Sequence, residues 1–268
     1  MQEYEALVST IREMGGVVVG YSGGVDSTLV SKAATDALGE KALCVLIDSC
    51  LMPRSDIDDA VALAGELGFN LVRMNADALA IPNVPDNDPE RCYHCKKALF
   101  SEMVEIAEKH GLKVVLDGSN ADDTTDFRPG TRATRELGVR SPLKELGLGK
   151  ARIREMSRAL GLVTWDRPAY ACLASRVPYG TKLTREVLGQ IEAAESILRE
   201  MGFRQCRVRH HGNLARIELL QEDMDALLAP DARNLALHRL RAVGYTHVAL
   251  DLAGYRTGSM NEGIGNRE

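Results

Sequence analysis

One stretch, residues 17 to 34, constrains the fold of this 268-residue chain more than any other. It reads VVVGYSGGVDSTLVSKAA, with an apolar segment from Val17 to Gly20, a loop with two adjacent glycines, and an amphipathic segment from Val25. The apolar segment predicts a buried parallel strand, and the spacing of apolar residues after Val25 predicts a helix. Glycines permit a sharp turn after the strand, and the first amides of the helix attract an anion. The stretch therefore predicts a phosphate-binding loop.

Polar side chains in this loop favour a nucleotide site over a purely structural turn. Ser22, Asp26 and Ser27 supply hydroxyl and carboxylate oxygens, which bind phosphate groups or Mg²⁺. The sequence contains neither the Walker A motif GxxxxGK[ST] nor the motif GxGxxG. The motif SGGVDS instead resembles the PP-loop of the ATP pyrophosphatase superfamily. That resemblance implies cleavage of ATP between its α- and β-phosphates and adenylation of a substrate oxygen.

Strands and helices alternate over the first two thirds of the chain. Predicted strands cover residues 17–20, 41–48, 70–74 and 113–117. Predicted helices cover residues 3–14, 25–39, 55–67, 96–110 and 150–160, and the third opens with a capping box of Ser55 and Asp58. This alternation predicts an α/β fold, a doubly wound parallel sheet with right-handed crossovers. The resemblance of SGGVDS to a PP-loop implies that this fold is adenine nucleotide α-hydrolase-like.

A smaller C-terminal α+β domain is predicted to follow. Its predicted elements are a helix at 184–201, strands at 205–210 and 214–220, a helix at 224–242 and a strand at 247–252. We place the boundary at residue 176. Residues 1–176 then form a PP-loop domain that binds ATP and adenylates, and residues 177–268 form a domain for substrate binding or oligomerisation. The polar tail after Gly254 is expected to fray.

The carboxyl ends of two further predicted strands also carry polar or glycine residues. Asp48 and Ser49 end the second strand, and Asp117 and Gly118 end the fourth. Ligands of doubly wound sheets bind at this edge, so the three strand ends are expected to meet at one nucleotide. Each aspartate considered alone is equally well explained as a loop cap.

An acidic loop follows the fourth predicted strand. Asp122, Asp123 and Asp126 are candidate Mg²⁺ ligands there, and Arg128 is a candidate phosphate ligand. The alternative is a set of solvated carboxylates.

Composition narrows the class of protein. The net charge is −5 and the isoelectric point about 5.8, which weighs against a nucleic-acid partner. The first residues lack a signal-peptide pattern, and no apolar run approaches the ~20 residues that span a bilayer. We therefore expect a cytoplasmic protein without a membrane partner, in which the six cysteines stay reduced.

The spacing of the cysteines indicates candidate redox or metal-binding residues. Cys92 and Cys95 form a CxxC motif after a proline-rich loop, typical of a redox pair, half of a zinc site, or part of an iron–sulfur site. Cys172 is a candidate third thiolate, and three thiolates leave one iron of a cubane cluster open for sulfide. The alternative is that Cys172 is a small buried apolar residue. The remaining cysteines are Cys44, expected in the core, and Cys50 and Cys206, which have no partner spacing.

A basic strand is predicted in the second domain. Arg207, Arg209 and His211 share one face of it by strand alternation. They could grip a phosphate through charge-assisted hydrogen bonds. A solvated basic edge or an oligomer contact is the alternative.

Segments along nearly the whole chain together resemble the LarE family of ATP-dependent sulfur transferases, which help to build the nickel-pincer nucleotide cofactor of lactate racemase. They are SGGVDS, RCYHCK, DGSNADD with DFRPG, SPLKELGLGK, PAYACLASRVPYG and RVRHHGNLARIE. The resemblance implies that ATP adenylates a carboxylate of pyridinium-3,5-biscarboxylic acid mononucleotide. Sulfur then replaces AMP and gives a thiocarboxylate.

The family resemblance implies two versions of the sulfur step. In one, the cysteine matching Cys172 gives up its own sulfur and becomes dehydroalanine. In the other, three cysteines hold a [4Fe-4S] cluster that carries an additional sulfide from a sulfur donor. The presence of Cys92, Cys95 and Cys172 fits the cluster version better.

The resemblance also assigns roles to individual residues. Asp26 and the three cysteines are predicted to be catalytic. The ATP phosphates are assigned to Ser22, Gly23, Gly24, Asp26 and Ser27, the adenosine to Asp48, Ser49 and Gly118, Mg²⁺ to Asp122 or Asp123, and the substrate to Arg176 and Arg209. A homo-oligomer is implied as well.

Three other functions remain open. A PP-loop tRNA thiolase also pairs this loop with a CxxC motif and a third cysteine, but a basic surface would be expected of it. A PP-loop amidotransferase needs a glutaminase domain, which is absent from the sequence, and has no need of the three cysteines. A non-catalytic nucleotide-binding module would bind ATP or AMP and release no pyrophosphate.

Overall fold

The computed structural model describes residues 1–124, 129–168 and 171–256. The chain divides into two compact units, one formed by Met1–Val84 and Pro89–Tyr170 and the other by Pro85–Asp88 and Ala171–Glu268. This division places Cys172 and Arg176 in the second unit. The functions assigned to the two predicted domains stay predictions.

The first unit contains a four-stranded sheet. Its strands are β1 (Val17–Tyr21), β2 (Ala42–Asp48), β3 (Asn70–Asn75) and β4 (Val114–Leu116). They are ordered β3-β2-β1-β4, and each neighbouring pair is parallel. The predicted parallel α/β sheet is confirmed, and β1, which leads into the PP-loop, lies inside it with a neighbour on each side.

Helices cover both faces of this sheet because its central strands are apolar on both faces. The helices of the unit are α1 (Gln2–Arg12), α2 (Val25–Leu38), α3 (Arg54–Glu66), α4 (Arg91–Lys109), α5 (Pro129–Glu136), α6 (Pro142–Glu145) and α7 (Lys150–Ala159). Val17 and Val19 of β1 pack in one core with Leu29 of α2. Val18 points the other way and packs with Met103 of α4. The sheet is therefore wound on both sides, as predicted.

The second unit has a small mixed sheet. Its elements are α8 (Arg185–Glu200), β5 (Cys206–His211), β6 (Leu214–Leu219), α9 (Gln221–Leu228), α10 (Pro230–Ala242) and β7 (His247–Leu250). β5 pairs antiparallel with β6, and β6 pairs parallel with β7. Leu198 of α8, Val208 of β5 and Leu240 of α10 are fully buried in one core. The predicted α+β character is confirmed.

Several predicted helix ends are wrong. The single helix predicted over 224–242 is two helices, because Pro230 lacks an amide hydrogen and so begins a new helix. The capping box at Ser55 is absent, since α3 begins at Arg54 with Pro53 as its N-cap residue. The helix predicted from residue 96 begins at Arg91, which places the CxxC motif inside its first two turns.

None of the helices in the described ranges combines the length and apolarity that crossing a membrane requires.

Candidate active site

The PP-loop joins β1 to α2 in a tight turn. Gly23 has a φ of 73°, in the left-handed region, and a Cβ added there would lie 2.8 Å from the Cβ of Ala60 on α3. Gly24 is the N-cap residue of α2, without a side chain in front of the first amides. The loop is therefore held close to α3, and no N-cap side chain competes with an anion for the first amides of α2.

Gly23→Ala is expected to lower the free energy of unfolding by about 2–4 kcal/mol, from the left-handed backbone together with the contact to Ala60. Gly68→Ala is the matched control, because Gly68 has a φ of 68° and no atom within 4 Å of an added Cβ. It is expected to cost only about 1 kcal/mol. Urea unfolding of both variants measures the difference, and equal losses would show that the loop does not pack on α3.

Hydroxyl groups close the loop on itself. The Ser22 amide donates to Ser27 Oγ at 3.1 Å, and the two serine hydroxyl oxygens also lie 3.1 Å apart. Ser27 Oγ donates to the Gly24 carbonyl at 3.2 Å. The sequence-predicted residues Ser22, Gly24 and Ser27 are thus brought together by the structure.

Asp26 lies in the first turn of α2 and forms an ion pair with Lys150, the first residue of α7. Its Oδ2 accepts the hydrogen bond from Lys150 Nζ. Its Oδ1 is buried, and no group in the described residues hydrogen-bonds to it. A buried, unpartnered carboxylate oxygen is costly unless a ligand satisfies it. This oxygen suits a magnesium ion or a donor group on a bound nucleotide.

The end of β4 abuts the start of α2. A Cβ added at Gly118 would lie 3.0 Å from the Ser27 amide nitrogen and 3.3 Å from Asp26 Cβ. Asp117 is buried and organises the turn that follows, since its carboxylate accepts from the Ser119 hydroxyl at 2.7 Å and the Ser141 hydroxyl at 2.6 Å. Because residue 118 is a glycine, the backbone that follows β4 can lie close to the first turn of α2.

The acidic residues after β4 are fixed by backbone hydrogen bonds. Asp122 Oδ2 accepts from the Lys150 amide at 2.7 Å, and Asp123 Oδ2 accepts from the Asn120 amide at 3.0 Å. Both carboxylates therefore have a structural role in joining this loop, and Mg²⁺ binding by either stays a prediction. The predicted ligands Asp126 and Arg128 lie outside the described residues.

Asp48, at the end of β2, is held by two arginines. Its carboxylate pairs with Arg54 of α3 and Arg73 of β3, and Ser49 follows it with its carbonyl accepting from Arg54 at 2.9 Å. Burial alone would raise the pKa of Asp48, but hydrogen bonds from the two arginines outweigh it and lower the pKa. Asp48 is therefore an ionised anchor beside the strand end, and its contact with adenosine stays a prediction.

A pH dependence follows from this clamp. Because the pKa of Asp48 is lower in the folded than in the unfolded chain, its stabilisation is complete above the unfolded pKa of about 3.9 and disappears as the pH falls through the folded pKa. Asp48→Asn is expected to cost about 1 kcal/mol at pH 7 and progressively less below pH ~4. Urea unfolding across this pH range tests it, and an equal cost at every pH would contradict it.

Cys92 and Cys95 lie one turn apart on α4, both half-buried. The Arg91 guanidinium, itself buried, lies 3.7 Å from Cys92 Sγ. Arg132 of α5 stacks 4.0 Å from the ring centroid of Tyr93 and holds this end of α4. The two thiols thus form a pair on one helix face beside a fixed cation.

A three-thiolate site is a further step from this pair. Cys172 belongs to the second unit, whereas Cys92 and Cys95 belong to the first. In the described parts of the chain, no three His, Cys, Asp or Glu side chains form a group that could hold a metal ion. Cluster binding by the three cysteines stays a prediction.

Cys172 is the N-cap residue of a short 3₁₀ helix, Leu173–Arg176, in the second unit. It is half-buried, so the alternative that Cys172 is a small buried apolar residue is wrong. Arg176, at the end of this helix, is 2% exposed and pairs with Glu195 of α8, which is fully buried.

The basic residues of β5 are also buried. Arg207 and Arg209 are 8% and 5% exposed, and Arg209 pairs with Glu218 of β6 at 2.6 Å. Burial lowers the pKa of Arg207, and the positive charge of Arg176 adds to this. His211 alone of the predicted face is exposed. The solvated-edge alternative is wrong for the two arginines, while substrate binding by Arg209 stays a prediction.

Sequence reasoning missed Lys150 and Glu195. Lys150 was predicted only as the start of a helix, and its partner Asp26 lies 124 positions away. Glu195 did carry a signal, because it lies four residues after Ile191 on the apolar stripe of α8. A carboxylate in such a stripe indicates a buried partner of opposite charge.

Comparisons with known proteins give matches over most of the chain. The NAD synthase family model matches residues 4–83. Pyridinium-3,5-bisthiocarboxylic acid mononucleotide synthase of Lactiplantibacillus plantarum is 40% identical over 258 residues, which cover 96% of this chain and 92% of the relative. An uncharacterised protein of Synechocystis is 40% identical over 93% of each chain, and one of Methanocaldococcus jannaschii is 30% identical over 90% of this chain and 91% of the relative.

The match to the synthase includes both units, since it covers nearly the whole of both chains. The NAD synthase model covers the PP-loop and the first three strands, which the structure shows as a parallel sheet with the loop at its carboxyl edge. Because the synthase is 40% identical over nearly the whole chain and the PP-loop domain matches as well, the chain belongs to the LarE family of PP-loop, ATP-dependent sulfurtransferases.

Proposed function

We propose that this protein uses ATP to replace a carboxylate oxygen of pyridinium-3,5-biscarboxylic acid mononucleotide with sulfur. In the first half-reaction, a carboxylate oxygen attacks the α-phosphorus of ATP, the bond to the β-phosphate breaks, and pyrophosphate leaves. In the second, a sulfide sulfur attacks the acyl carbon, the carbon–oxygen bond to AMP breaks, and a thiocarboxylate remains. The Lactiplantibacillus relative is named as a synthase of pyridinium-3,5-bisthiocarboxylic acid mononucleotide, which supports the corresponding biscarboxylate as the substrate.

The environment of the Asp26 carboxylate is the observation that supports the proposal most strongly. One of its oxygens is paired with Lys150, and the other is buried with no hydrogen-bond partner among the described residues, in the first turn of α2. A carboxylate so placed could hold a Mg²⁺ ion, which would supply positive charge beside the phosphates of ATP. The cation, Lys150 and the first amides of α2 would together stabilise the charge that develops on the α-phosphate and the leaving pyrophosphate.

The remaining nucleotide contacts follow from the strand ends. We assign the phosphates to Ser22, Gly23, Gly24, Asp26 and Ser27, the adenosine to Asp48, Ser49 and Gly118, and a further Mg²⁺ contact to Asp122 or Asp123. The close approach of Gly118 to Ser27 supports the first two groups, because it brings separate strand ends to one edge. Arg176 and Arg209 remain predicted substrate ligands, though each is already held by a buried glutamate.

The source of sulfur is a separate part of the proposal. The count of cysteines supports a [4Fe-4S] cluster on Cys92, Cys95 and Cys172, which would supply a sulfide when bound. The alternative is that Cys172 gives up its own sulfur. Both versions need Cys172, as a ligand of the cluster in the first and as the source of sulfur in the second. A sulfur donor and a homo-oligomer remain predictions as well.

Iron analysis of protein purified without oxygen separates the two versions. About four irons per chain, lost in Cys92→Ala, Cys95→Ala and Cys172→Ala alike, is the result expected for the cluster. Absence of iron together with conversion of Cys172 to dehydroalanine after one turnover would establish the sacrificial version instead.

The overall proposal is tested by incubation of the protein with ATP, Mg²⁺, the biscarboxylate nucleotide and sulfide. We expect pyrophosphate release that depends on the nucleotide, and a product in which one oxygen has been exchanged for sulfur, both detectable by mass spectrometry. ATP bound with no pyrophosphate released would favour the non-catalytic nucleotide-binding module.

A further inference from the structure

Arg176 makes contacts that point towards Cys172. Its Nε donates to Glu195 Oε1 at 2.8 Å, and its Nη2 donates to Glu195 Oε2 at 3.1 Å. Its Nη1 donates to the Ala171 carbonyl at 2.7 Å and to the Cys172 carbonyl at 3.0 Å. The Nε and Nη2 groups therefore bind a carboxylate on α8, and the Nη1 group binds the backbone carbonyls of Ala171 and the cysteine.

The carbonyl of Cys172 receives hydrogen bonds from two further groups. The Ser175 amide donates to it at 3.0 Å and the Ser175 hydroxyl at 2.8 Å. Arg176 Nη1 also lies 2.9 Å from Ser175 Oγ, so the three donors form one network. The backbone at Cys172 is thereby fixed in an extended conformation, with a φ of −61° and a ψ of 148°.

Glu195 ties this network to the core of the second unit. It is fully buried on α8, and its Oε1 also accepts from the Val208 amide of β5 at 3.1 Å. Burial alone would raise the pKa of Glu195, but the charge of Arg176 outweighs it and lowers the pKa, so the carboxylate stays ionised.

Stability alone is a poor explanation for this pair. Desolvation of two buried charges offsets most of their attraction, and apolar residues of similar volume often stabilise a fold equally well. A second buried arginine reaches the same turn, since Arg209 Nη1 donates to the Ser175 carbonyl at 2.9 Å while paired with Glu218. Two buried ion pairs thus converge on the short turn that follows Cys172.

We propose that Arg176 and Glu195 are positioning residues, which set the backbone of Cys172 so that its sulfur is held in the geometry that sulfur transfer requires. The proposal rests on the function proposed above, in which Cys172 acts in the second half-reaction. Displacement of a reacting group by about 1 Å costs roughly 100-fold in rate. Loss of the pair should therefore slow sulfur transfer far more than it slows adenylation at saturating substrate.

The double variant Arg176→Met/Glu195→Gln tests this. It removes both charges with little change in volume, and the glutamine oxygen can still accept from the Val208 amide. We expect the ratio of thiocarboxylate formed to pyrophosphate released, measured at saturating substrate, to fall about 100-fold. A contact of Arg176 with the substrate would instead raise the KM for both half-reactions and leave this ratio unchanged. Hydrogen exchange of the amides in residues 173–177 should accelerate at least tenfold.

Three further variants separate positioning from stability. Leu240→Ala, in the core of the same unit, is the matched destabilised control and should leave the ratio of sulfur transfer to pyrophosphate release unchanged. Arg176→Lys keeps the charge but lacks the planar fork, and should be nearly as impaired in sulfur transfer as the double variant. Ser175→Ala removes one donor from the network and should reduce sulfur transfer about threefold to tenfold, which keeps the test informative if the double variant does not fold.

The outcomes are distinguishable. Normal sulfur transfer in the double variant, or full rescue by Arg176→Lys, would overturn the positioning role, and so would an equal loss in Leu240→Ala. If wild-type protein itself forms no thiocarboxylate, the proposed function fails, and hydrogen exchange still decides whether the pair fixes the Cys172 backbone.

Discussion

Asp26→Asn is expected to reduce pyrophosphate release that depends on substrate by about 100-fold to 1000-fold, the usual cost of losing one preorganised charge at a reacting phosphate. The variant keeps the shape of the side chain but removes the charge that pairs with Lys150 and the carboxylate proposed to bind Mg²⁺. The pair is partly exposed, so the free energy of unfolding should change by less than ~1 kcal/mol.

Asp36→Asn supplies the control on the same helix. Asp36 pairs with Lys32 and accepts from Tyr4, away from the PP-loop. The same chemical change should leave pyrophosphate release unaltered there. A coupled pyrophosphate assay and urea unfolding measure both variants. Wild-type rates in Asp26→Asn would show that the loop holds no catalytic cation at this residue.

Cys172→Ala should separate the two half-reactions. Formation of thiocarboxylate is expected to fall by more than about 1000-fold, because one version of the sulfur step needs this thiol as the sulfur source and the other needs it as a cluster ligand. The first turnover of pyrophosphate release should persist, since the PP-loop and its ligands belong to the other unit. Single-turnover measurement of pyrophosphate and thiocarboxylate in one sample checks both results.

Cys206→Ala is the matched control for that variant. Cys206 lies in the same unit, and burial raises the pKa of its thiol to about 12, so it is unreactive. Its loss should leave sulfur transfer at the wild-type rate. Retention of sulfur transfer in Cys172→Ala would contradict the role assigned to that residue.

The parts of the site that the sequence predicts correctly are local. Strand β1, the paired glycines and the start of α2 are contiguous, so apolar spacing and loop composition were enough to place Ser22, Asp26 and Ser27 together. The edge at which Gly118 meets Asp26 follows from a general rule for parallel sheets.

The parts that the sequence does not predict depend on distant partners. Alternation in β5 puts Arg207 and Arg209 on one face but cannot say what covers that face. Their burial is decided by α8 and β6, which supply Glu195 and Glu218. The pair of Asp26 with Lys150 likewise joins residues that are 124 positions apart, with β2, β3 and β4 between them in the chain. At Pro230 the missed signal is local. The apolar periodicity continues across this proline, although the proline ends one helix and begins the next.

The central claim is that a substrate carboxylate is adenylated and that sulfur then displaces AMP. It is tested most directly with biscarboxylate nucleotide labelled with ¹⁸O in its carboxylates, incubated with the protein, ATP and sulfide. Mass spectrometry of the released AMP should show one ¹⁸O atom for each thiocarboxylate formed, because the bridging oxygen leaves with AMP. AMP without label, or ADP in its place, would contradict the account.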